Sequence, residues 1–125
     1  MTENEIGEGL LGCALAVHRA LGPGLLESVY ETCLAHELTR AGFAVARQVV
    51  LPVVYDGLEI EAGYRLDLLI ENRVVIEVKA IEKIMDVHRA QLLSYLRLGD
   101  YRLGYLLNFN TYVLKDGIVR LANRL

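Results

Sequence analysis

Residues 64–80 constrain the fold of this chain more than any other stretch. They read Tyr64-Arg-Leu-Asp-Leu-Leu-Ile70 and Val74-Val-Ile-Glu-Val-Lys-Ala80, two runs of strand length joined across Glu71-Asn72-Arg73. Both runs are nearly continuous in apolar residues, the pattern of strands covered on both faces. Beyond Arg65 near the start of the first run, three charged residues interrupt them, Asp67 in the first run and Glu77 and Lys79 in the second. Charges in such a position cost free energy unless they are paired or put to use. The bland alternative is a solvated sheet face on which the three pair as surface charges, and the continuous apolar flanks argue against it.

The rest of the chain supplies the cover. From about Glu3 to Leu21, Ile6, Leu10, Ala14, Val17 and Leu21 recur at three- and four-residue spacing, one face of a helix. Gly22-Pro23-Gly24 ends it, because proline cannot continue a helix and glycine tolerates the turn. A second helix is expected from about Leu25 to Ala41, with Leu26, Val29, Tyr30, Cys33, Leu34 and Leu38 inward and Gly42 as its stop. Residues 43–55 then turn to β-branched and aromatic types, and Asp56-Gly57 is a hairpin signal. Pro52 cannot donate to a ladder, which marks this run as an edge strand. A third helix is expected from about Asp86 to Leu98 with Asp86 as its N-cap, broken by Gly99-Asp100. A strand at Tyr101–Asn108 and a hairpin of Tyr112–Leu114 with Ile118–Leu121 around Asp116-Gly117 complete the pattern. A strand–helix–strand crossover within a mostly antiparallel set predicts an α/β fold, a mixed central sheet flanked by helices.

At 125 residues, with no linker or repeat, the expectation is a single domain over residues 1–125. Its 54% hydrophobic content supports a well-filled core. No apolar run approaches the ~20 residues of a membrane helix, and the acidic start Met-Thr-Glu-Asn-Glu does not resemble a secretory signal, so the expected compartment is the cytoplasm. Cys13 and Cys33 lie in helix-like apolar patterns and are read as buried free thiols, not zinc ligands. The net charge of −3 weighs mildly against a nucleic-acid partner, although acids gathered at a metal site inflate the negative count.

Glu77 and Lys79 are two apart in a strand and share a face. Asp67 joins them if opposed residues sum to 144, which pairs Ile70 with Val74 and leaves Glu71-Asn72-Arg73 as a three-residue loop, with Asn72 or Arg73 left-handed. A two-residue loop would send Asp67 to the other face. Two carboxylates facing each other repel unless something positive lies between them. A hard cation such as Mg²⁺, with Mn²⁺ as a substitute, satisfies them, with the Val78 carbonyl as a further oxygen ligand. Such an ion can make a nucleophile from water and stabilise charge on a phosphodiester. Lys79 on the same face is placed to orient water or neutralise developing charge.

Gly24-Leu-Leu-Glu27-Ser-Val-Tyr30 resembles the signature of the GxxExxY proteins, a branch of the PD-(D/E)XK nuclease superfamily. Val17-His18, Leu21-Gly22-Pro23-Gly24, Tyr64-Arg65-Leu66-Asp67, Glu77-Val78-Lys79-Ala80, Gln91-Leu-Leu-Ser-Tyr95 and Leu107-Asn108-Phe109-Asn110 fit the same pattern in order, over nearly the whole chain. The resemblance implies a restriction-endonuclease-like core in which Asp67 and Glu77 bind metal and Lys79 is the motif lysine. It implies that Glu27 is an additional acid aimed at the metal, and that Gln91 and Tyr95 form the QxxxY element of RecB-like exonucleases. Residue spacing is compatible with the last two: Glu27 and Tyr30 share a helix face, as do His88, Gln91 and Tyr95, a polar stripe opposite Leu92, Leu93 and Leu96. Glu27 also suits a first helical turn for its charge alone, and Tyr30 suits a core with its hydroxyl satisfied.

The expected function is Mg²⁺-dependent phosphodiester hydrolysis of DNA rather than RNA, at single-stranded or terminal sites, with a homodimer or a protein partner as a source of specificity. The competing class is a non-catalytic nucleic-acid-binding or accessory module that keeps the fold.

Overall fold

The computed structural model describes all 125 residues. Helix α1 (Glu3–Leu21) begins with a capping box, in which the Thr2 hydroxyl accepts from the Glu5 amide and the Glu5 carboxylate accepts from the Thr2 amide. Ile6, Leu10, Ala14 and Val17 are buried as their spacing requires, whereas Leu21 is exposed. Helix α2 (Glu27–Arg40) buries Tyr30, Leu34 and Leu38 and half-buries Cys33, but leaves Leu26 and Val29 exposed. Leu26 is the N-cap residue, before the helical repeat starts, so its side chain does not share the inward stripe.

The chain then enters β1 (Val45–Val50) and breaks at Leu51-Pro52. Strands β2 (Val53–Tyr55) and β3 (Leu58–Ile60) follow, joined across Asp56-Gly57 with both turn residues at positive φ, 49° and 77°. This hairpin forms a two-stranded sheet of its own. The five-stranded sheet is completed by β4 (Arg65–Ile70), β5 (Val74–Lys79), β6 (Leu103–Asn108) and β7 (Ile118–Ala122), in the order β1-β4-β5-β6-β7. Only β5 and β6 run parallel, connected by α3 (Asp86–Gly99). The sheet is therefore mixed and flanked by helices, as expected, with β1 an edge strand.

Two cores occupy its two faces. Ile6, Leu10, Tyr30, Leu34 and Leu38 of the first two helices pack with Leu68, Ile70, Val74, Ile76 and Val78. Leu92, Tyr95 and Leu96 of α3 pack with Leu69, Val75 and Leu106. Gly104 lets α3 approach closely, since a Cβ there would lie 3.0 Å from methyl groups of both Leu92 and Leu96. Cys13 and Cys33 are free and only half-buried at the rim of the first core. No helix is long and apolar enough to cross a membrane.

Two expectations about element ends are corrected. Met85 is the N-cap of α3 and Asp86 its first helical residue, because the His88 Nδ1 accepts from the Met85 amide (2.8 Å) and satisfies that end. The last hairpin does not form. Leu114–Gly117 is a short 3₁₀ turn that delivers β7 antiparallel to β6, and Tyr112 and Val113 are exposed. Gly117 packs against the backbone of Asn108, where a Cβ would collide with the carbonyl oxygen, so the turn presses onto β6 instead of standing off as a ribbon.

Candidate functional site

Strands β4 and β5 pair in the register of sum 144, Leu68 with Ile76, Leu69 with Val75 and Ile70 with Val74, across the three-residue loop. Glu71 and Asn72 both take left-handed backbone (φ 52° and 55°), so Arg73 is not the second such residue. Glu71 is held there by the residue just before β1: its carboxylate accepts from the Ala44 amide and its own amide donates to the Ala44 carbonyl.

The ladder stops after Leu68–Ile76. Beyond it β4 continues beside β1 and β5 beside β6, so the two strands part. Asp67 and Glu77 stand at the fork and replace the missing rungs with side chains. The Glu77 Oε2 accepts from the Asp67 amide (2.9 Å), and the Asp67 Oδ2 accepts from the Val78 amide (2.8 Å). Backbone donors that the parting strands would orphan are thereby satisfied.

Glu77 is 6% exposed. Desolvation, reinforced by the neighbouring Asp67 carboxylate, raises its pKa to about 8. Asp67 is also raised, first by desolvation and then by Glu31, against lowering contributions from the Val78 amide, Gln48 and Lys79. Lys79 is close enough to lower both acids, yet takes part in none of the three ion pairs of the chain. Its backbone is fixed, since Phe109 donates to the Lys79 carbonyl (2.9 Å).

Glu27 approaches the same strand end. Its Oε2 accepts from the Ala80 amide (3.1 Å), immediately after Lys79, so the contact the structure gives it is to backbone. The Tyr30 hydroxyl donates to the Gly22 carbonyl (2.6 Å) and accepts from the Leu25 amide (3.1 Å), closing the turn before α2. Its ring stacks on Phe109 at 4.7 Å. Gly24 contributes a φ of 104° that other residues rarely adopt. The spaced glycine, glutamate and tyrosine thus form one device: a turn locked by Tyr30 that sets the start of α2 and presents Glu27 to the backbone beyond Lys79. Tyr30→Phe is expected to cost about 2 kcal/mol by leaving the Leu25 amide and the Gly22 carbonyl short of a partner. Thermal unfolding would show this as a fall of several degrees.

Ile81, the residue after Ala80, is held from the other side. The buried Asn108 side chain donates to the Ile81 carbonyl (2.9 Å) and accepts from the Ile81 amide (3.1 Å), continuing the β5–β6 pairing after the strand ends. His18 is buried, with its Nε2 2.7 Å from the Thr111 carbonyl, and is part of the scaffold.

The polar stripe expected on α3 is divided. Gln91 is exposed, and His88 spends its Nδ1 on the helix start. Tyr95 is buried with Leu92 and Leu96 rather than opposite them, its ring 5.6 Å from that of Tyr64. Its pKa is raised by desolvation and then by Glu77, which places the phenol on the acid side of α3.

Two residues absent from the sequence reading stand beside the fork. Glu31, 8% exposed on α2, accepts from the Arg47 guanidinium (2.9 and 3.2 Å) and from the Gln48 amide (2.7 Å). Gln48 also donates to the Asp67 Oδ1 (3.3 Å). The available signal was the Arg47-Gln48 pair in an otherwise apolar run, together with Glu31 one helical turn after Glu27.

No three His, Cys, Asp or Glu side chains converge as a closed ion-binding set. Glu31 is engaged by Arg47 and Gln48, and Glu27 by the Ala80 amide. What faces the fork is a pair of carboxylates, hard oxygen donors whose mutual repulsion no protein cation fully relieves. That donor set fits Mg²⁺ or Mn²⁺, which keep several waters and need only one or two protein carboxylates.

A family model of the PD-(D/E)XK nuclease superfamily matches residues 4–121. Comparison with curated proteins and with solved structures gives no match.

Proposed function

Because the chain belongs to the PD-(D/E)XK nuclease superfamily, we propose that it is a metal-dependent deoxyribonuclease using Mg²⁺, or Mn²⁺ in its place, on single-stranded or terminal DNA. The observation that carries this reading is the Asp67–Glu77 pair at the strand fork. Glu77 is held in an environment that pushes its carboxyl to about 8, a cost that the single hydrogen bond it accepts from the Asp67 amide only partly offsets. A divalent cation would turn the same arrangement into a favourable one.

Asp67 and Glu77 would hold the ion, with the Val78 carbonyl as a further oxygen and Glu27 at the margin. When bound, the ion supplies charge stabilisation at a phosphodiester and eases deprotonation of water. Lys79, uncommitted to any protein carboxylate by an ion pair, would bind the scissile phosphate and balance charge as the bond breaks. The Tyr95 phenol, kept protonated by its surroundings, remains a donor on the same side. Exposed Gln91 would contact the strand, and the QxxxY spacing it shares with Tyr95 in the sequence supports a single-stranded or terminal substrate. A chain with net charge −3 offers little basic surface, which favours low sequence specificity.

The test is cleavage of single-stranded and duplex DNA with Mg²⁺, run beside calorimetric titration of the ion into wild type and Asp67→Ala. Ion binding and cleavage in the wild type, both lost in the variant, are expected. A wild-type protein that takes up no ion at millimolar concentration would defeat the proposal and leave the accessory-module reading.

A further inference from the structure

Gln48 has an unusual backbone. Six residues other than glycine have positive φ: Gln48, Asp56, Glu71, Asn72, Asp100 and Arg124. Asp56, Glu71 and Asn72 form turns, Asp100 ends α3 and Arg124 lies beyond β7. Gln48 alone lies inside a strand, at φ 50°, between the paired positions Arg47–Leu68 and Val49–Leu66. The residue across from it is Asp67. A left-handed residue within a strand is costly for anything but glycine, and such outliers persist where surrounding contacts require them.

The contacts identify what the excursion achieves. Adjacent residues of an extended strand point to opposite faces. Arg47 and Gln48 are adjacent, yet both reach the Glu31 carboxylate, Arg47 at Oε2 and Gln48 at Oε1. Arg47 pairs with that carboxylate without help, so the kink is not needed to satisfy Glu31's charge. What it adds is the amide bridge: Nε2 donates one hydrogen to Glu31 (2.7 Å) and the other to Asp67 (3.3 Å). Because both partners are carboxylates, the amide is fixed with nitrogen inward, and its carbonyl oxygen, which no protein donor reaches, is left on an exposed residue at the fork.

We propose that Gln48 is a positioning residue of the acid centre, its left-handed backbone maintained so that an amide anchored on Glu31 sets the orientation of the Asp67 carboxylate. This inference rests on the metal-nuclease reading of the fork and assigns it an outer layer, Glu31 and Gln48, drawn from α2 and β1. Outer groups of this kind tune the ligand they hold, and removing one typically weakens metal binding by about 10–100-fold.

Gln48→Gly separates position from stability. Glycine adopts the observed φ without penalty but carries no amide, so a merely structural Gln48 and a positioning Gln48 predict different results. The expected outcome is an unchanged or raised melting temperature, Mn²⁺ affinity weakened about tenfold or more, and a lower kcat with KM little altered. Gln48→Asn provides a second variant that tolerates the same backbone but is one methylene too short to bridge both acids. It is expected to show the same separation. Variants that bind Mn²⁺ and cleave like wild type, or that lose affinity only in proportion to lost stability, would overturn the assignment while the nuclease reading stands. A wild-type protein that binds no Mn²⁺ would overturn both together.

Discussion

Glu77→Gln should make the ion-free protein more stable and leave it without hydrolytic activity. The wild-type carboxyl titrates at about 8 in the fold against 4.5 for an unperturbed glutamate. Below pH 4.5 both folded and unfolded states hold the proton and the group contributes no difference. Between 4.5 and 8 the unfolded chain binds fewer protons than the folded one, so wild-type stability falls as pH rises; above 8 the loss is complete and constant. Glutamine has the same shape and no charge, so the advantage of the variant grows across that window and levels off near pH 8. A shift from 4.5 to about 8 bounds the gain at about 5 kcal/mol, or about 20 °C in melting temperature. The glutamine carbonyl can still accept from the Asp67 amide, and its NH₂ can donate to the Asp67 carboxylate, replacing repulsion with a hydrogen bond. Removing a carboxylate from the proposed cation site should cost several kcal/mol of transition-state stabilisation, on the order of a thousandfold in rate. Melting curves from pH 4 to pH 9 and a cleavage assay decide the matter. Equal stability at pH 8, or retained cleavage, would mean that the buried acid is not held at the expense of the fold for function.

The parts of this arrangement that the sequence revealed are those governed by local spacing. Loop length fixes the parity of a hairpin, so residue positions showed that a three-residue loop would bring Asp67 to the face of Glu77 and a two-residue loop would not; the register of the structure is the first of these. Apolar spacing likewise placed Ile6, Leu10, Ala14 and Val17 inside, and Asp56-Gly57 placed a turn. Spacing gives no warning of the residue that breaks its own rule. Gln48 defeats the alternation of β1, so no pattern of two could aim it at Asp67. Glu31 was concealed because an acid amid the polar residues of a helix looks solvated until a partner strand closes over it. Tyr95 fell on a face read as polar because its hydroxyl was weighed above its ring, and the ring's burial decided its place. The final hairpin failed for a long-range reason, the contact of Gly117 with Asn108 nine residues earlier, which no turn dipeptide encodes.

Lys79→Met should slow cleavage by about 10²–10³ while leaving the cation site able to bind. The ammonium enters no ion pair and lowers the pKa of both Asp67 and Glu77 from a distance. It therefore has charge to offer to a phosphate, and methionine retains much of the apolar stem without that charge. Two consequences oppose each other and can be read separately. A cation entering the fork no longer meets a like charge, so its affinity at high pH should hold or rise slightly. Both acids lose a neighbour that favours their ionised forms, so each should keep its proton to higher pH, and the pH at which binding reaches half its maximum should move upward. Asp67→Ala is expected to lose ion binding outright, whereas Lys79→Met should lose rate and keep binding. Calorimetric titration of Mn²⁺ at pH 7 and pH 9, beside single-turnover cleavage at saturating ion, distinguishes the two. A variant that cleaves at the wild-type rate would assign Lys79 to balancing the two acids in the fold, with no part in the reaction.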